Sequence, residues 1–168
     1  MTQAILEKLN RELRSIWSKP PVDIERIKGT RGANGNYFNF INYAEADSRI
    51  LGGNTFLLTR LCLQDKVPLK SLVETTAALL EGWANGYTRS YQFAKVEYLP
   101  SILKEVSTAI AAVKDKQEYL KIIEALTLVI SRYNYWLEAE MPWADINVVY
   151  VAVARPRPFP GQMQKPWP

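Results

Sequence analysis

Residues 27–35, IKGTRGANG, place Lys28 and Arg31 among Gly29, Gly32 and Gly35. Glycine backbone amides approach a phosphate without side-chain clearance, and the two cations supply charge, so the stretch suits contact with a phosphate backbone. It does not match the dinucleotide fingerprint GxGxxG after a strand. Nor does it match the phosphate loop GxxxxGK[ST], because no lysine-hydroxyl pair follows. Nucleotide hydrolysis is therefore not what this loop predicts.

Aromatic residues lie next to cations in three places. Tyr37, Phe38, Phe40 and Tyr43 follow the glycine loop, Arg89 and Lys95 lie among Tyr87, Tyr91 and Phe93, and Arg132 precedes Tyr135 and Trp136. Exposed rings beside cations stack on bases. Rings at helical spacing, such as Tyr37, Phe40, Ile41 and Ala44, more commonly pack a core. A further basic row, Lys8, Arg11 and Arg14, shares one side of an N-terminal helix and is diluted by Glu7 and Glu12.

The inventory excludes much catalysis. The chain has no histidine and one cysteine, so His-based triads, His-ligated metals, thiolate metal sites and internal disulfides are all out of reach. Glu45 and Asp47, two apart, point in different directions on a helix, and Glu138, Glu140 and Asp145 straddle a helix end. Neither group builds the carboxylate-histidine set of a metal bundle. No cofactor is expected, and the reading is of a chain that is not an enzyme.

The 168 residues suffice for one compact domain with a sizeable core, and 48% hydrophobic against 23% charged residues is a globular balance. The net charge of +4 suits a polyanionic partner, and each half of the chain carries the same surplus, so a basic patch must be assembled by folding. No run of about 18 apolar residues is present, and the amphipathic, acid-bearing N-terminus is unlike a signal peptide. A cytoplasmic location without a membrane partner is the expectation. Cys62, in LLTRLCLQ, reads as a small buried hydrophobe.

Helices must position these groups. Ile5, Leu9, Leu13 and Ile16 predict a helix over residues 2–18 with Thr2 as N-cap. A loop follows, with a short extended piece at Val22 to Ile27. Helical periodicity from Tyr37 to Leu51 is interrupted at LGGN and resumes at Thr55, predicting two helices or one kinked at Gly52-Gly53. Asp65 is the expected cap of the next helix, with Pro68 in its first turn and a stripe from Leu69 to Trp83. Asn85-Gly86 is a point to end or bend it.

Pro100 opens a helix carrying Ile102, Leu103, Val106, Ala109, Ile110 and Val113 on one face. The last helix, from about Gln117 to Glu140, turns Leu120, Ile123, Leu126, Val129, Ile130, Tyr133 and Leu137 inward and stops at Pro142. INVVYVAVA, residues 146–154, is β-branched without helical period and predicts a strand. RPRPFPGQMQKPWP, with three cations and no acid, predicts an extended tail. The fold class is thus all-α: an antiparallel bundle of five to six helices over residues 1–145, with a C-terminal strand and proline-rich tail over residues 146–168.

In architecture and composition, residues 1–140 resemble the small subunits of CRISPR surveillance complexes, RNA- and DNA-binding proteins of antiviral defence. The resemblance implies a non-catalytic scaffold of a ribonucleoprotein complex, contacting other subunits and copies of itself. It further implies contact with the guide-target (crRNA-target) duplex or a displaced single-stranded DNA through Lys8, Arg11, Arg14, Lys28, Arg31, Arg89 and Arg132. The alternative is a protein-binding adaptor or assembly factor docking through the C-terminal strand and proline tail.

Overall fold

A computed structural model describes residues 1–19, 36–90 and 102–154, with side chains over 1–19, 48–85 and 102–139. These residues build five helices: α1 (Thr2–Trp17), α2 (Asn36–Gln64), α3 (Leu69–Ser90), α4 (Leu103–Ala111) and α5 (Lys116–Ala154). Among the described residues there is no strand. The all-helical expectation holds in this coarse form.

The central element is α5, whose largest interface is with α2 and the next with α1, while α3 packs chiefly on α4. Ser48 meets Asn134, Gly52 meets Ile130 and Thr55 meets Thr127, so each step up α2 is a step down α5 and the two run antiparallel. Spacing explains the fit. Ser48, Gly52, Thr55, Thr59 and Cys62 recur at intervals of four and three, a seam of small residues along α2. Against it α5 sets Thr127, Ile130 and Asn134, and its bulky buried series Tyr119, Ile123, Leu126, Ile130, Tyr133 and Leu137 follows the same alternation toward the core. A Cβ added at Gly52 would just touch Ile130 Cγ2 at 3.4 Å, so this turn of α2 has room for a methyl group against α5 and for little more.

Hydroxyl groups inside the bundle find partners within their own helices. Thr59 Oγ1 donates to Thr55 O at 3.0 Å, Thr76 Oγ1 to Leu72 O at 2.6 Å and Thr127 Oγ1 to Ile123 O at 2.7 Å. Such bonds to the carbonyl four residues back let a hydroxyl be buried without an unmet donor.

Several sequence expectations are corrected. Residues 50–55 do not break α2, which runs unbroken for 29 residues. The two glycines cost helix propensity, about 1 kcal/mol each, but packing of the flanking Leu51, Thr55 and Leu58 into the core carries the helix through. Asp65 does not cap α3. It ends α2 in a left-handed conformation (φ 57°), its amide donating to Cys62 O at 3.1 Å. Pro68 instead precedes α3 and its carbonyl accepts from Leu72 N. At α1 the cap position is Met1, one residue before Thr2. Asn85-Gly86 lies within α3, which continues to Ser90.

The helix expected to stop at Pro142 continues to Ala154, and residues 146–154 are helical, not a strand. Extending an established helix needs no new nucleus, and β-branched residues cost only about a few tenths of a kcal/mol each in a helix. A strand there would need a partner, and Val22 to Ile27 lies outside the described residues. So do Pro100 and the proline tail, residues 155–168.

Signals overlooked in the sequence sit at the start of α5. Asp115 Oδ1 accepts from Glu118 N at 2.9 Å, and Glu118 Oε1 accepts from Lys114 N at 2.7 Å, a reciprocal cap readable in the sequence as D-x-x-E.

Candidate functional site

The cations singled out by sequence are distributed unequally. Lys8 is exposed on α1 and pairs with Glu105 of α4 at 2.6 Å, with both side chains about half exposed. Such a surface pair contributes about 0–1 kcal/mol. Arg11 and Arg14 stand exposed farther along α1. Arg89 lies in the last turn of α3, its side chain outside the described part. Lys28 and Arg31 lie outside the described residues altogether, as do the side chains of Tyr37, Phe38, Phe40 and Tyr43.

Arg132 has a different environment. Its guanidinium carbon is 4.0 Å from the Tyr135 ring centroid, 4.4 Å from Trp17 and 5.2 Å from Trp136. It also donates from Nη2 to Trp17 O, while Trp136 Nε1 donates to Ile16 O at 2.7 Å. The last carbonyls of a helix lack intrahelical donors and carry partial negative charge. Two side chains of α5 therefore cap the C-terminus of α1, one of them bringing a cation. Four residues before Ile16, Glu12 Oε2 accepts from Tyr133 Oη at 2.8 Å, adding a third tie between the helices. The Nε of Arg132 is buried without a hydrogen-bond partner among the described residues. Folding thus brings Arg132 to within a helical turn of the α1 row, but encloses it in rings.

Two further groups stand out inside the bundle. Tyr119 is fully buried, with Oη 2.7 Å from Thr76 Oγ1. Thr76 already gives its proton to Leu72 O, so Tyr119 is the donor of the pair. Burial pushes the Tyr119 hydroxyl up to about 12. Cys62 is buried as expected, and burial raises its thiol above its ordinary value, which suppresses the thiolate. Among the described residues, no group of three or more His, Cys, Asp or Glu side chains could hold a metal. Nor is any helix there long and apolar enough to cross a membrane.

The outer face of α2 is apolar where water meets it. Ile50, Phe56, Leu57 and Leu63 are all exposed, with Arg60 6.0 Å from the Phe56 ring centroid. Sequence reading missed this face, since apolar residues all round a helix are usually assigned to the core.

Comparison with known families decides the placement of this bundle. Residues 2–139 match the family described as the cucumopine synthase C-terminal helical bundle domain. The chain belongs to this family. The match covers α1 to α4 and α5 as far as residue 139, the part that builds the core. Neither a curated protein nor a solved structure shows significant similarity to the chain.

Membership in the cucumopine synthase bundle family corrects one expectation. The absence of histidine and of a catalytic motif predicts a chain outside enzymology, whereas the family takes its name from a synthase, of which the helical bundle is the matched domain. Residue inventory tests whether a chain carries its own catalytic groups. It does not test whether the chain is a domain of an enzyme.

Proposed function

We propose that this bundle is the helical domain of a synthase and works through contact with a catalytic unit. The family match over residues 2–139 carries this reading, and the exposed apolar face of α2 supports it by offering a surface suited to a protein partner. The test is to mix the purified chain with a cucumopine synthase truncated before its own helical bundle, then follow product formation and complex mass. Restored activity and a stable complex are the expected result. A mixture that neither associates nor gains activity overturns the proposal.

A second reading draws on Arg11 and Arg14, exposed on α1, and retains the expectation of a nucleic-acid scaffold. Anisotropy with labelled single-stranded DNA, RNA and duplex tests it: affinity should fall steeply with salt, and reversing Arg11 or Arg14 should lower the salt slope by about one each. Salt-independent or absent binding overturns this second reading.

A further inference from the structure

Where α1 ends against α5, two aromatic rings are turned to water: Trp17 is 59% exposed and Tyr135 50%. Neither is loose. The Trp17 carbonyl accepts from Arg132 Nη2, and the guanidinium carbon lies 4.4 Å from the Trp17 ring centroid and 4.0 Å from that of Tyr135. The carbonyl before it, of Ile16, accepts from Trp136 Nε1 at 2.7 Å, and Trp136 meets the Tyr135 ring edge to face at 5.2 Å. A large exposed ring on a fixed mount has little freedom left to lose when a ligand lies on it.

The mount also decides what kind of ligand fits. Aromatic faces attract cations, but the Arg132 guanidinium already occupies that role on both rings, so a cation from outside would meet a like charge. A cation on one face draws π density toward itself and leaves the opposite face suited to an electron-rich planar ring. With more than half of Trp17 in water, such a face is open.

Charge sets a second condition. Arg11, Arg14 and Trp17 follow one another at i, i+3 spacing, so each is the neighbour of the next on the surface of α1, and Lys19 lies just beyond. All three cations are exposed, and none is paired with an acid among the described residues. Of the acids near them, Glu7 accepts from Gln3 at 3.2 Å and Glu12 from Tyr133 at 2.8 Å, while Glu138 stands exposed one turn beyond Tyr135. Flat rings beside unpaired cations hold a strand whose bases are unstacked, the rings taking bases and the cations phosphates. A duplex keeps its bases in the stack and offers this surface phosphates only. An anionic lipid surface is typically held by about four to eight cations, more than stand here.

We infer that Trp17, with Tyr135 beside it, is a stacking platform for an unpaired base of a single-stranded nucleic acid whose phosphates run along Arg14 and Arg11. Arg132 mounts the rings and does not itself hold the strand. The inference rests on the second reading given above and deepens it, naming the strand and the residue on which a base lies.

The test uses the whole chain with a fluorescein-labelled oligodeoxyadenylate, an abasic oligomer of the same length, which keeps the phosphates and lacks the bases, and the matching duplex. Anisotropy should show the single strand bound about tenfold or more tighter than the abasic oligomer, and tighter than the duplex. Trp17→Ala should remove that advantage and leave binding of the abasic oligomer as it was, while Trp17→Phe, which keeps a ring, should retain most of it. The single strand should quench the tryptophan fluorescence of the native chain more than that of Trp17→Phe. Circular-dichroism melts establish that both variants are folded, and the comparison of single strand with abasic oligomer on the native chain stands without them.

Equal, salt-dependent binding of the single strand and the abasic oligomer overturns the platform and leaves the second reading in place. Binding of neither removes both. A base-dependent advantage that Trp17→Ala leaves unchanged overturns the assignment to Trp17, and duplex binding as tight as single-strand binding overturns the choice of strand. A random Glu-Tyr copolymer that binds tighter than the oligodeoxyadenylate, and is lost in Trp17→Ala, overturns the inference in favour of an acidic protein segment.

Discussion

Tyr119 donates its hydroxyl proton to Thr76 Oγ1 at 2.7 Å, and Thr76 passes its own to Leu72 O at 2.6 Å, so a two-step polar chain crosses from α5 into α3 with both residues fully buried. The direction of the chain makes the two ends unequal. Thr76→Val leaves a buried phenol without an acceptor and should cost about 1–3 kcal/mol, whereas Tyr119→Phe removes the donor and should cost about 1 kcal/mol. Urea unfolding of the two variants and of their double checks this, and the double should recover part of the Thr76→Val loss.

The same phenol makes stability depend on alkaline pH. Its folded value of about 12 lies above the roughly 10 of an unfolded tyrosine, so the unfolded chain releases this proton first. The contribution is whole below about pH 10 and is lost as pH rises toward 12, at up to ~1.4 kcal/mol per pH unit. Unfolding midpoints of the native chain and Tyr119→Phe over that range should differ in slope, the variant being the flatter.

Arg132→Lys keeps the charge but loses the planar fork and the stacking on Trp17 and Tyr135. The cost expected is about 1–2 kcal/mol, together with a change in tryptophan fluorescence as the Trp17 ring loses its cation. An Arg132→Lys protein with native fluorescence and native stability would count against the capping role.

Gly52 and Gly53 are neighbours with opposite requirements. Gly53→Ala meets open space and should stabilise α2 by about 0.5–1 kcal/mol. Gly52→Leu must displace Ile130, which a Cβ at this position already touches, and should destabilise by about 1–3 kcal/mol. Thermal melts of the pair read the difference directly.

Asp115→Ala removes the acceptor for Glu118 N at the start of α5 and should cost about 1 kcal/mol. Glu118→Ala should cost less, since Lys114 N is exposed and can bond to water.

What the sequence made legible follows from how local each cause is. The stripe Ile102 to Ile110 and the α1 residues Ile5, Leu9 and Ile16 are buried as their spacing predicts, because one helical period decides which face turns inward. Leu120 packs against the core half-buried, while Tyr119 and Ile122, which its stripe does not include, are fully buried beside it. The buried arc of a helix packed by both α1 and α2 is wider than a single stripe. The unbroken α2 was illegible because its glycines are tolerated only through α5, and the helical 146–154 because β-branching sets a preference that an existing helix overrides. At the candidate site, residue type marked Arg132 as a cation available for a partner. Only tertiary structure shows that α1 and three rings take it up. The exposed face of α2 was hidden for the converse reason, since hydrophobicity does not say whether a neighbour is present.

Lys116 Nζ reaches Asp65 Oδ1 at 2.6 Å across 51 residues of sequence, joining the start of α5 to the end of α2. The path of the chain therefore leaves this point, builds α3 and α4, and returns to it. Everything between is a parenthesis in the sequence, opened and closed at one place on the fold. What the parenthesis contains is packed into the core, Leu72, Leu80, Leu103, Val106 and Ile110 all being buried, so its opening joint and not its content is where the chain tolerates change, and a circular permutant with new ends at 66–68 should fold on the same α2-α5 pair.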